Sequence, residues 1–171
     1  MRFRYKPQIQ LGTTPIDDIV FDICSRHEMV PILMALQHLY VDHESKINKI
    51  LELIENDLKA PVNSNRGSIG MSYWETLVLT AVRLGCDMDY DCLADLATHH
   101  RLLRQMLGIS DWDYKRFSRS AVHENLTKLS PTTIDAINYI IVDIGHKLSR
   151  NPLKKVRGDT FVLLKNIDLC N

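Results

Sequence analysis

Long apolar runs, clustered cysteines, internal repeats and any excess of one charge are all missing from this 171-residue chain. Each absence removes a class of protein. No stretch is apolar for long enough to span a bilayer. Met1 to Lys6 is charged with no apolar run behind it, so no secretory signal is expected. The four cysteines, Cys24, Cys86, Cys92 and Cys170, lie far apart without a CxxC pair. They read as reduced thiols of a cytosolic protein rather than a disulfide framework. Lysine plus arginine equals aspartate plus glutamate at 21 each, so global charge gives no pull toward nucleic acid. What remains is ordinary globular composition, 45% hydrophobic and 25% charged, in a chain long enough to bury a core unaided.

The charges are unevenly placed. From Met71 to Thr98 the single basic residue Arg83 faces Glu75, Asp87, Asp89, Asp91 and Asp95. Between His99 and Lys128 the balance reverses, with Arg101, Arg104, Lys115, Arg116, Arg119 and Lys128 against Asp111, Asp113 and Glu124. His146 to Gly158 then holds Lys147, Arg150, Lys154, Lys155 and Arg157 with no acid. A basic second half behind an acidic stretch suggests a face for phosphates, but on charge alone a solvated surface with a lysine-rich linker is the preferred account.

Apolar spacing is helical almost throughout. Met1 to Pro15 has no period and reads as an extended arm, followed by a short apolar segment at Ile16, Ile19, Val20 and Ile23. Ser25 with Glu28 has capping-box spacing and opens a helix through Leu33, Leu36 and Leu39; Asp42 is placed to cap the next, with Ile47, Ile50, Leu51, Ile54 and Leu58 inward. Residues 59–70 read as a loop. Ser72 with Glu75 forms a second capping box before Trp74, Leu77, Val78 and Val82, with Gly85 suited to the helix end. Asp89 caps Tyr90 to Ala97; His99 to Leu107 is helical and stopped by Gly108. Ser118 or Ser120 starts a helix through Val122, Leu126 and Leu129, and Ser130-Pro131 starts one carrying Ile134, Ile137, Ile140, Ile141, Ile144 and Leu148. Thr160 to Leu164 is a β-like run with no partner in view. The expected fold is all-α, a multi-helix bundle with an orphan C-terminal β-strand.

Four blocks carry a family likeness: Thr14–Tyr40, Gly70–Gly108 (GMSYWETLVLTAVRLGCDMDYDCLADLATHHRLLRQMLG), Leu129–Leu148 and Arg157–Val162. In that order they resemble the N-terminal region of bacterial insertion-sequence transposases, particularly the ISNCY type. The resemblance implies a helical region that binds the DNA ends of the element, the terminal inverted repeats. It further implies a following RNase-H-like domain whose three acidic residues hold two divalent metal ions such as magnesium. By that likeness residues 1–15 are an arm, 16–148 the DNA-binding domain, and 149–171 a basic linker and the start of the catalytic domain. Thr160 to Leu164 would be its first strand, but Asp168-Leu169-Cys170-Asn171 departs from the tract that carries the first catalytic aspartate, and Asp168 is not assigned to catalysis. The chain is therefore expected to bind element ends without cutting or joining DNA, and without a cofactor of its own. The likeness also implies a cytoplasmic, nucleoid-associated protein, able to form homodimers or hetero-oligomers with intact transposase, with no membrane role.

Within that likeness the helix-turn-helix candidate spans Tyr90 to Leu129. Tyr90 to Ala97 would support, and Ser118 to Lys128 would read the major groove with its early residues. Ser118, Arg119, Ser120, His123 and Lys128 would face DNA, Arg119 reaching guanine, while Arg101, Arg104, Lys115 and Arg116 would fix register on the backbone. The connection between the two helices is longer than the tight turn of the usual motif. His99 and His100 point different ways on a helix and do not share an ion readily. A helical protein-interaction module without a nucleic-acid role is the alternative, and a small enzyme using Cys or His chemistry a third reading.

Overall fold

The computed structural model describes residues 11–22, 24–58 and 70–148. Among them a 3-10 turn at Ile16–Asp18 precedes α1 (Met29–Asp42), α2 (Glu44–Leu58), α3 (Tyr73–Gly85), α4 (Tyr90–His99), α5 (Arg101–Met106), α6 (Arg119–Leu126) and α7 (Pro131–Leu148). No strand occurs among the described residues; the expected strand at 160–164, the basic linker and most of the N-terminal arm lie outside them. No described helix is long and apolar enough to cross a membrane.

α3 is the axle. It packs on α1 and α2 along one side and on α4 and α6 along the other. Every residue from Tyr73 to Leu79 is buried, as is Val82, so the first two turns of α3 are enclosed all round while Leu84 near its end is exposed. Its start is fixed by the capping box read from the sequence: Ser72 Oγ accepts from Glu75 N at 3.1 Å, and Glu75 Oε2 accepts from Ser72 N at 2.9 Å. The indole N–H of Trp74 donates to Met106 O at 2.7 Å, tying the axle to the end of α5. On the other flank α7 joins α2 through Asp57, whose carboxylate accepts from Ser130 N at 2.7 Å. Burial alone would raise the Asp57 carboxyl pKa, but hydrogen bonds from the Ser130 N–H and the Thr133 and Ser130 side chains prevail and hold it below the ordinary carboxylate range.

The segment before α1 is held by side chains, not by regular structure. Gln37 Nε2 donates to Ile16 O at 2.7 Å and Ile19 O at 2.9 Å, and both isoleucines are buried. Further back, Asp111 N donates to Gly12 O at 3.1 Å, laying the arm against the loop after α5.

Two local expectations are corrected and a third is refined. Ser25 and Glu28 form no capping box: Ser25 Oγ accepts from His27 N, and Glu28 makes no side-chain cap for α1. Asp42 ends α1 instead of capping α2, because its carboxylate is taken by His38 Nδ1 at 2.5 Å, within the same helix. Gly85 is the last residue of α3 and not the left-handed residue after it. That place falls to Asp87, at φ +48°, where Met88 N closes back on Arg83 O at 3.0 Å. Gly85 serves a close approach: a Cβ there would lie 2.4 Å from Ile32 Cδ1. Gly108, by contrast, does fill the left-handed place after α5, at φ +69°, with Ile109 N bonded to Arg104 O.

Candidate nucleic-acid interface

α6 is short, and both its ends are set by the sequence around it. Ser118 Oγ accepts from Ala121 N at 3.2 Å, capping the first turn. Phe117 just before it is buried, with its N–H donated to Thr98 Oγ1 at 3.1 Å, so the entry to α6 is pinned to the end of α4. Val122, Asn125 and Leu126 point into the core. Arg119, Ser120, His123, Glu124, Thr127 and Lys128 stay exposed, so α6 shows solvent one continuous polar stripe.

The long connection from α4 does not separate the two helices. α4 and α6 pack directly on each other, and both rest on α3. α5 and the loop after it fill the excursion between them, and Arg104 organises that loop. Its guanidinium donates to the carbonyl oxygens of Thr98 at 2.9 Å, Lys115 at 3.0 Å, Ser110 at 3.5 Å and Asp113. With its terminal amino groups turned onto main chain, Arg104 acts as a staple for the loop.

The nine residues singled out in the sequence therefore separate into groups. Arg116, Ser118, Arg119, Ser120 and His123 gather at the start and outer face of α6, all exposed. Arg116 and Ser120 have no side-chain partner among the described residues. Lys128 follows the helix and pairs with Glu124 at 2.7 Å, one turn back. Lys115 is also exposed but turns its ammonium back onto the fold: Nζ lies 2.5 Å from Glu75 Oε1, neutralising a carboxylate that is only 6% exposed, and 5.1 Å from the Phe117 ring centre. Arg101 stands apart on α5, in loose contact with Asp111 at 4.0 Å.

Two neighbours of α6 were not legible as site residues. Asp91 Oδ2 lies 3.2 Å from Arg119 Nε, and the Tyr90 ring meets His123 edge to face at 4.7 Å. In sequence both read only as the start of a capped helix. Tyr114, 96% exposed beside Lys115-Arg116, is a third; an aromatic placed between charged residues in a loop was the available signal. Opposing charge is also present, since Asp91 and Asp95 are exposed along α4.

Histidine and cysteine chemistry finds little support nearby. His99 Nδ1 turns to Asp95 at 3.0 Å, while His100 turns the other way, to the His27 ring at 5.6 Å between centres. No group of three or more metal-binding side chains occurs among the described residues. Burial, and then the charge of Glu28, push the Cys86 thiol above its ordinary pKa, which keeps it protonated and a poor nucleophile.

What this arrangement can do chemically is offer hydrogen-bond donors and positive charge from the first turns of one exposed helix braced by a second. No protein-family model, no curated protein and no solved structure matches this chain, so its function is argued from this geometry and from the resemblance of its sequence.

Proposed function

We propose that the chain is a DNA-binding module of insertion-sequence transposase type, which recognises the element's terminal inverted repeats with α6 and does not itself cut DNA. The observation that carries the reading is the packing of α4 against α6 on α3, with Arg116, Ser118, Arg119, Ser120 and His123 exposed around the start of α6. On this reading α4 is the supporting helix and α6 the reading helix of a helix-turn-helix, whose early residues would reach base edges. The unusual length of the connection is absorbed by α5 and its arginine-stapled loop. Ser118 lies at the helix start, suited to a phosphate, while Arg116 and Lys128 flank the stripe and supply sequence-independent affinity.

The test is fluorescence anisotropy of the full chain on duplexes from the element's ends and on scrambled controls, across a salt series. Preference for the ends with a steep negative dependence on salt supports the reading; no binding to either duplex at low salt overturns it.

A second reading, a helical protein-interaction module, draws on an open apolar groove of about 350 Å³ between α2, α3 and α7. Ile54, Leu77, Ala81, Leu84, Ile137 and Ile141 line it. That reading expects partner capture insensitive to salt and no retention on DNA.

A further inference from the structure

Arg119 and His123 stand one helical turn apart on α6, and consecutive residues of α4 meet them from the side. Asp91 holds Arg119 by its Nε at 3.2 Å. Tyr90 meets the His123 ring at 4.7 Å, and its own ring carries the Arg83 guanidinium at 4.3 Å. The order Arg83, Tyr90, His123 links α3 through α4 to the outer face of α6.

An arginine gripped at Nε keeps both terminal amino groups free, and these are the pair that fits guanine O6 and N7 in the major groove. The grip also restricts a side chain that otherwise loses much rotamer freedom on binding. Resting on the DNA-binding reading above, we propose that the Tyr90-Asp91 turn of α4 is a positioning pair for base recognition. Asp91 sets the Arg119 fork toward guanine, and Tyr90 steadies His123 one turn further along the groove.

Fold stability does not account for the pair. Arg119 and Asp91 are 67% and 72% exposed, and an ion pair so open to water adds little to a fold. Toward DNA the carboxylate has two effects of opposite sign. It repels phosphates, weakening attachment to any duplex, and it orients Arg119, strengthening attachment where guanine is met. A residue with those two effects raises selectivity by lowering the competing affinity.

The experiment uses the full chain and a duplex enriched from a random pool, with each guanine replaced in turn by 7-deazaguanine, which lacks the N7 acceptor. For the unaltered chain, replacing the contacted guanine should weaken binding by about fivefold or more. In Asp91→Ala that penalty should fall below about twofold while affinity for a scrambled duplex rises; Asp91→Asn, which keeps an acceptor oxygen, should fall between. Circular dichroism of each variant checks that the helices persist. An Asp91→Ala chain with the full 7-deazaguanine penalty and unchanged scrambled-duplex affinity overturns the positioning role and leaves the DNA-binding reading standing. Guanine-independent binding by the unaltered chain does the same. Failure of the unaltered chain to bind any duplex at low salt removes both.

Discussion

Arg104 lies in a basic stretch of the sequence, between His99 and Lys128, yet its guanidinium is turned onto four carbonyl oxygens. Replacing it by alanine strands those carbonyls, and hydrogen bonds to a charged donor are worth about 1.5–3 kcal/mol each at most. Arg104→Ala should therefore lower stability by roughly 2–3 kcal/mol in urea unfolding. Arg104→Lys should recover little of it, since an ammonium cannot span carbonyls that a planar fork reaches. Arg116 makes the contrast. Exposed and without an ion-pair partner among the described residues, it is expected to touch phosphate. Arg116→Ala should cut the salt slope of DNA binding by about 0.9 and leave the unfolding midpoint where it was. Asp87 gives a third case, a non-glycine residue at φ +48°. Asp87→Gly relieves that backbone strain and should raise stability by up to about 1 kcal/mol, visible as a higher melting temperature.

At the level of single helices, what could be read in sequence was whatever depends on near neighbours. Ser72 with Glu75, Asp89 before Cys92 and Ser118 before Ala121 all cap the helices their spacing suggested, because a cap is a bond across three residues. Ser72→Ala should accordingly cost about 1 kcal/mol, measured by thermal unfolding. The buried stripe of α2 was equally plain, and that of α7 in part: Ile137, Ile140 and Ile144 are buried, while Ile141 and Leu148 are exposed. The failures come from competing partners, some of them near and some distant. Asp42 had the right spacing to cap α2, but His38 one turn back claims its carboxylate. Gly85 does end α3, as its place suggested, but its close approach to Ile32, more than fifty positions earlier, could not be read from spacing. The candidate site divides in the same way. The exposed residues of α6 follow from helical periodicity; the inward turns of Arg104 and Lys115 and the grip of Asp91 on Arg119 depend on how helices pack, which no local spacing reveals.

For the molecule as a whole, acid should be the sensitive direction. Burial first, and then the charge of His27, hold His100 below the ordinary histidine pKa of about 6.5. The unfolded chain then takes up a proton that the folded one resists. Stability should be level above roughly pH 6.5 and fall as the pH drops through and below it, and His100→Gln should flatten that fall. Asp57 adds a second loss further down: its carboxylate is stabilised by folding, so its contribution is present above the ordinary carboxylate range and disappears as the pH falls through its lowered pKa. Urea midpoints between pH 8 and pH 3 would resolve both. The central place of α3 has a different consequence. Since α1 and α2 meet it on one side, and α4 and α6 on the other, neither part of the chain can hide its apolar surface alone. A polypeptide ending at Leu58 and another beginning at Gly70 should each lack stable helix in isolation, and should regain it when mixed, one supplying the axle and the other its missing bearing. Such a pair would act as a fragment-complementation switch, with reassembly itself restoring the α6 surface.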